Sequence, residues 1–97
     1  MKVMAIGSLS KPLTEEQRQE IMRKEVPDTL QLYLDGKIEQ FWFSPDLPGV
    51  IFLMNADSVE HAKATLDALP LTAQGFMSFK LLSVGPLMPL GLLIKPK

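Results

Sequence analysis

The stretch Ile38–Asn55, IEQFWFSPDLPGVIFLMN, decides how this chain folds. It holds two apolar runs, Phe41-Trp42-Phe43 and Val50 to Met54, separated by the turn-forming Pro45-Asp46-Leu47-Pro48-Gly49. Aromatic and β-branched residues bounded by turn residues mark strands. A strand with one wet face alternates apolar and polar residues. These two do not alternate, so both of their faces are expected to be covered. In a chain of 97 residues that demand is severe, because a domain of this size has one core.

The flanking segments supply one cover. Lys2 to Leu9 reads as a strand ended by Ser10-Lys11-Pro12. Thr14-Glu15-Glu16-Gln17 has the form of a capping box, in which the Thr hydroxyl accepts from the Gln17 N–H and the Gln17 side chain reaches back. Met22, Val26, Leu30 and Tyr33 then draw one apolar stripe along a first helix. Pro27 predicts a kink or break at Val26-Pro27, and Asp35-Gly36 closes the helix with a glycine cap. Lys37 to Ser44 and Val50 to Asn55 are the next strands. Asp57 is expected to cap a second helix, with Glu60 at its third position, an apolar stripe of Val59, Ala62, Leu66 and Leu69, and Pro70 as its stop. Gln74 to Val84 is the fourth strand. Its Met77, Phe79 and Leu81 are expected to face the helices, with Phe76, Ser78, Lys80, Leu82 and Val84 on the other side.

The order β-α-β-β-α-β with right-handed crossovers predicts an α+β fold, the ferredoxin-like plait. Its four-stranded antiparallel sheet carries both helices on one face. The other face needs a second layer, and an identical chain related by a two-fold axis supplies it most simply. The expectation is an obligate homodimer, or a larger ring, that forms a dimeric α/β barrel. Residues 1–84 form the domain. Residues 85–97, broken by Pro86, Pro89, Gly91 and Pro96, form a C-terminal tail or arm expected to reach a neighbouring subunit.

Composition narrows the function. The apolar share is 46%, the charged share 22%, and the net charge −1, which describes a folded chain with no basic stripe for phosphates. No nucleic-acid partner is expected. The absence of cysteine removes a thiol nucleophile, disulfides and thiolate-bound metal. With one histidine, no metal site is expected either. The opening MKVMAIGSLSKP reads as a strand and not as a signal peptide, and the tail is too broken to span a bilayer. No membrane association and a cytoplasmic location are expected.

The pattern Leu32-x-x-x-Gly36-x-x-x-x-x-Trp42, followed by Ser58-Val59-Glu60, Leu66 and Leu69-Pro70-Leu71, resembles the muconolactone isomerase family. The resemblance runs without gaps from Leu32 to Leu71 and extends loosely into the first strand. It implies a dimeric α/β barrel, no cofactor, and an isomerase that moves a proton within a small organic acid or lactone. Around the tryptophan the family tends to carry arginine and histidine, whereas this chain has Glu39, Gln40 and Phe43. The alternative reading is therefore a non-catalytic homodimer that binds a small apolar molecule or a partner protein.

No catalytic residue is assigned. The ligand-pocket candidates are Tyr33, Trp42, Ser78 and Lys80. Tyr33 and Trp42 line a pocket between the first helix and the sheet, or else pack in the core or interface. Lys80 lies at the sheet edge with its ammonium in water, or beside a carboxylate such as Glu39 inside the dimer layer, with Ser78 on the same face. His61 falls beside the second helix's apolar stripe, a position expected to be exposed. The charged run from Glu15 to Glu25 reads as a solvated face with pairs such as Glu20–Lys24.

Overall fold

The computed structural model describes residues 1–46 and 49–85. The elements are β1 (Lys2–Leu9), α1 (Glu15–Leu34), β2 (Ile38–Phe43), β3 (Gly49–Asn55), α2 (Val59–Asp67), α3 (Pro70–Ala73) and β4 (Met77–Val84). Every strand pairing is antiparallel, in the order β2-β3-β1-β4. This is the ferredoxin-like α+β plait expected from the element order. The arm expected of the tail lies outside the described residues.

Local chemistry sets most boundaries. At the start of α1 the Thr14 hydroxyl accepts from the Gln17 N–H at 3.1 Å, and the Gln17 side-chain oxygen accepts from the Thr14 N–H at 3.0 Å. At its end Gly36 adopts φ +78°, a left-handed conformation that a side chain would oppose. The expected break at Pro27 does not occur, and α1 runs through it unbroken. Proline removes the N–H that would have bonded the Arg23 carbonyl. Both residues are exposed, so water can take the freed carbonyl. The pairing along this helix also differs: Lys24 binds Asp28 at 2.6 Å and not Glu20.

The region after β3 corrects three expectations. Ser58, and not Asp57, caps α2, its hydroxyl accepting from the His61 N–H at 3.0 Å. Pro70 does not stop α2, which ends earlier at Asp67; it opens the one-turn α3, where its fixed φ and missing N–H suit the first position. Phe76 does not point to the open side of the sheet. It precedes β4 and is buried with Ile21, Leu71 and Met77, its ring under the Lys11 ammonium at 4.7 Å.

The main core lies between α2 and the sheet, where Val3, Ala5, Phe52 and Met54 pack under Ala62, Leu66 and Leu69. Phe79 joins it with its ring 5.6 Å from that of Phe52. Gly7 makes room for Phe79, because a Cβ there would lie 2.5 Å from the ring. α1 is attached differently. Its expected stripe is not buried: Val26 is 51% exposed and Tyr33 45%. The helix is instead held by Ile21 in the small cluster and by Glu25, which is 8% exposed. The Leu71 N–H donates to Glu25 Oε1 at 2.9 Å, and the Thr29 hydroxyl donates to Oε2 at 3.3 Å.

Truncating Glu25 should therefore loosen the junction of α1 and α3. Glu25→Ala leaves a buried N–H without its acceptor, a cost of roughly 1–3 kcal/mol. Denaturant unfolding should report that loss, while Glu60→Ala on the exposed face of α2 should stay within about 0.5 kcal/mol of the native chain. Equal stability of the two variants would show that the Glu25 bond contributes nothing.

Candidate functional site

Because α1 is fastened to α3 and the sheet margin, the side of it that follows the stripe stands off the sheet. A cleft of about 700 Å³ opens between them. Met22, Val26 and Leu30 of α1 form one wall, and Phe41, Phe43 and Phe52 of the sheet form another. The helical residues recur every fourth position and so share a face. The strand residues recur every second position, which places them on the helix side of the sheet. Two charged residues also line the cleft, Arg18 and the buried Glu25.

Among the described residues no helix or strand of this chain covers the opposite side of the sheet. The strand registers align Lys80, Ile6, Ile51 and Trp42 in one row across it, with Leu82, Met4, Leu53 and Gln40 in the next. Trp42 is 45% exposed and Leu82 44%. One end of this face is polar. The Lys2 ammonium donates to both Glu39 and Asn55, and that bond holds the Glu39 carboxyl below its usual range. Alternation along β2 turns Phe41 and Phe43 to the cleft and Trp42 to the open face.

The structure separates the four ligand-pocket candidates. Tyr33 stays on the helix side, its ring 5.1 Å from Phe41 and tilted by 37°, outside the cleft walls. Trp42, Ser78 and Lys80 all lie on the open face. Lys80 is exposed on the edge strand β4, while Glu39 sits at the far edge in β2 and binds Lys2, so the two do not meet. His61 is half exposed at the start of α2. Its Nδ1 accepts from the Asp57 N–H at 3.2 Å, and the Asp57 carboxylate lies 3.8 Å away. It belongs to the helix cap and not to the cleft. Arg18, Glu25, Phe41 and Phe43 are cleft residues that the sequence did not single out. For Glu25 a signal was present, since it follows Ile21 by four residues and precedes Leu32 by seven on one helical face.

No protein-family model matches the sequence, and no curated protein matches it significantly. Solved structures do. A crystal structure of muconolactone isomerase superposes with a TM-score of 0.75 over 89% of this chain and 90% of its own, at 17% identity. The fold is muconolactone isomerase-like. A 5-chloro-2-hydroxyhydroquinone dehydrochlorinase from Burkholderia phenoliruptrix, in complex with 2,5-dihydroxybenzoquinone, superposes with a TM-score of 0.66 at 15% identity. That match covers 88% of this chain and 94% of the dehydrochlorinase. The muconolactone isomerase-like architecture spans the whole plait, from β1 to β4.

Among the described residues no group of histidine, cysteine, aspartate and glutamate side chains is placed to hold a metal ion. No helix among them is long and apolar enough to cross a membrane.

Proposed function

We propose that this muconolactone isomerase-like chain takes up a small apolar organic molecule in the cleft between α1 and the sheet. The observation that carries this reading is the lining itself: three aliphatic or thioether side chains facing three phenylalanines, around a volume of about 700 Å³. Cavities of that size and character suit molecules of drug-like dimensions. The buried Glu25 has both oxygens engaged by the protein, which leaves the cleft surface apolar. The dehydrochlorinase of the same fold is described with a small unsaturated ring bound, a ligand of the same general kind.

A second reading is cofactor-free proton transfer, and Glu25 favours it. A carboxylate on the wall of an apolar cleft is the type of group that removes a proton beside a carbonyl. Both structural neighbours are named as enzymes that act on small organic compounds. In this reading Glu25 is the base for a small unsaturated lactone or organic acid.

The open face is, on the same proposal, where a second copy packs. Its rows of Ile6, Ile51 and Trp42 and of Met4, Leu53 and Leu82 form a continuous apolar surface of the sort that solitary chains rarely leave in water. A stable partner would cover about 800 Å² of it on each side.

Three outcomes are expected. Nile red, an uncharged apolar dye, should bind the native chain with a rise in fluorescence, and Val26→Trp, which fills the cleft, should weaken binding by about tenfold or more. Unchanged dye binding in a folded variant would rule the cleft out. If the lactone reading holds, Glu25→Gln should slow isomerisation by at least about a hundredfold, followed by ultraviolet absorbance. Turnover unaffected by that change would remove Glu25 as the base. Light scattering should give twice the chain mass for the native protein and the single mass for Ile51→Glu; a folded native monomer at micromolar concentration would overturn the homodimer.

A further inference from the structure

We propose that the occupant of the cleft is an apolar monocarboxylate whose carboxylate is held by Arg18 while its apolar body lies along α1. This inference rests on the reading of the cleft as a ligand site and adds the chemical class of the ligand. Arg18, Met22, Val26 and Leu30 follow one another at intervals of four residues, so they form a single file down the helix. All four line the cleft, and Arg18 alone in that file is charged. The file therefore reads as a cationic head position followed by apolar ground.

The guanidinium is available. Among the described residues Arg18 forms no ion pair and no side-chain hydrogen bond. The acidic residue one turn before it, Glu15, instead accepts a hydrogen bond from the Gln19 side chain at 3.3 Å. An arginine beside an apolar surface grips a carboxylate through two parallel N–H···O bonds, and its weak hydration lowers the cost of doing so.

Glu25 sets the direction. It is the other charged residue of the cleft and lies seven residues beyond Arg18. That spacing is roughly 10 Å along the helix axis. Its carboxylate is committed to the Leu71 N–H and the Thr29 hydroxyl, so it offers no partner to an anion and repels one. An anionic head is thus attracted to the Arg18 end and excluded from the Glu25 end. Among the described residues the lining includes no second cation, which disfavours a dicarboxylate or a phosphate ester. A fatty acid and an arylalkanoic acid share the required chemistry.

The test compares decanoate with decanamide, its uncharged counterpart, by isothermal titration of the native chain at low salt. Decanoate should bind about tenfold more tightly, the advantage expected of one charge-assisted pair near water. Arg18→Gln should abolish that advantage and leave decanamide unaffected, and Arg18→Lys should restore part of it. Val26→Trp should weaken both ligands. Equal binding of the two ligands to the native chain would overturn the carboxylate inference and leave the cleft reading intact. Binding of neither would overturn both. Binding of both that survives Val26→Trp would place the site elsewhere and overturn the role of Arg18.

Discussion

The carboxylate of Glu25 sits at the junction of α1 with α3, and the shape of the molecule follows from what that group requires. Removing an ionised carboxylate from water costs several kcal/mol unless hydrogen-bond donors replace the water. Here the donors are the Leu71 N–H and the Thr29 hydroxyl. Leu71 can donate because it lies in the first turn of a helix, where N–H groups have no carbonyl of their own. Pro70 in turn fixes where that first turn begins. A proline on one segment and a glutamate on another thus jointly decide that α1 leans on α3. The part of α1 that would otherwise sink onto the sheet is held away from it, and the cleft is the space that remains.

The sheet tolerates this because its helix side is covered in two portions. α2 covers the centre of the sheet and its β4 side, over Val3, Ala5, Phe52 and Met54. The margin along β2 is left to α1, which lies against β2 and α3. Phe79 and Phe52 pack side by side within the first portion, a contact that depends on the missing side chain of Gly7. The first portion therefore supplies the main core, and the second borders the cleft.

Much of the architecture was legible in the sequence. Short-range chemistry announced the capping box at Thr14, the glycine stop at Gly36 and the alternation of Met77, Phe79 and Leu81, and all three stand as read. The two-sided character of Phe41-Trp42-Phe43 was legible as well. The cleft was not, for a specific reason. A stripe such as Met22-Val26-Leu30 tells that a helical face is apolar, but its spacing is the same whether that face meets a sheet or overhangs a gap. Glu25 was hidden in a run of charges, since its partner Leu71 lies far along the chain and belongs to a one-turn helix opened by Pro70, a residue that reads in the sequence only as the stop of α2. Arg18 was masked by the same run. Pro27 misled in the opposite direction: its steric cost was read correctly, but the flanking anchors at Ile21 and Leu32 keep the helix in line.

The alternation of β2 has a consequence for how this protein can change. Phe41 and Trp42 are neighbours in the chain yet belong to surfaces that never meet, one lining the cleft and one lying on the bare side of the sheet. A substitution at one therefore leaves the other surface untouched, so the cleft lining and the open face can drift independently under selection. An insertion is a different matter. One added residue upstream of Phe41 would turn every side chain of the strand over, delivering the indole to the cleft and the phenyl rings to the bare side. The irregular register between Ile38 and Gln40 shows that the strand already absorbs one such offset, and it does so before the aromatic residues begin. Variation in length should thus be tolerated on the Ile38 side of that bulge and purged beyond it.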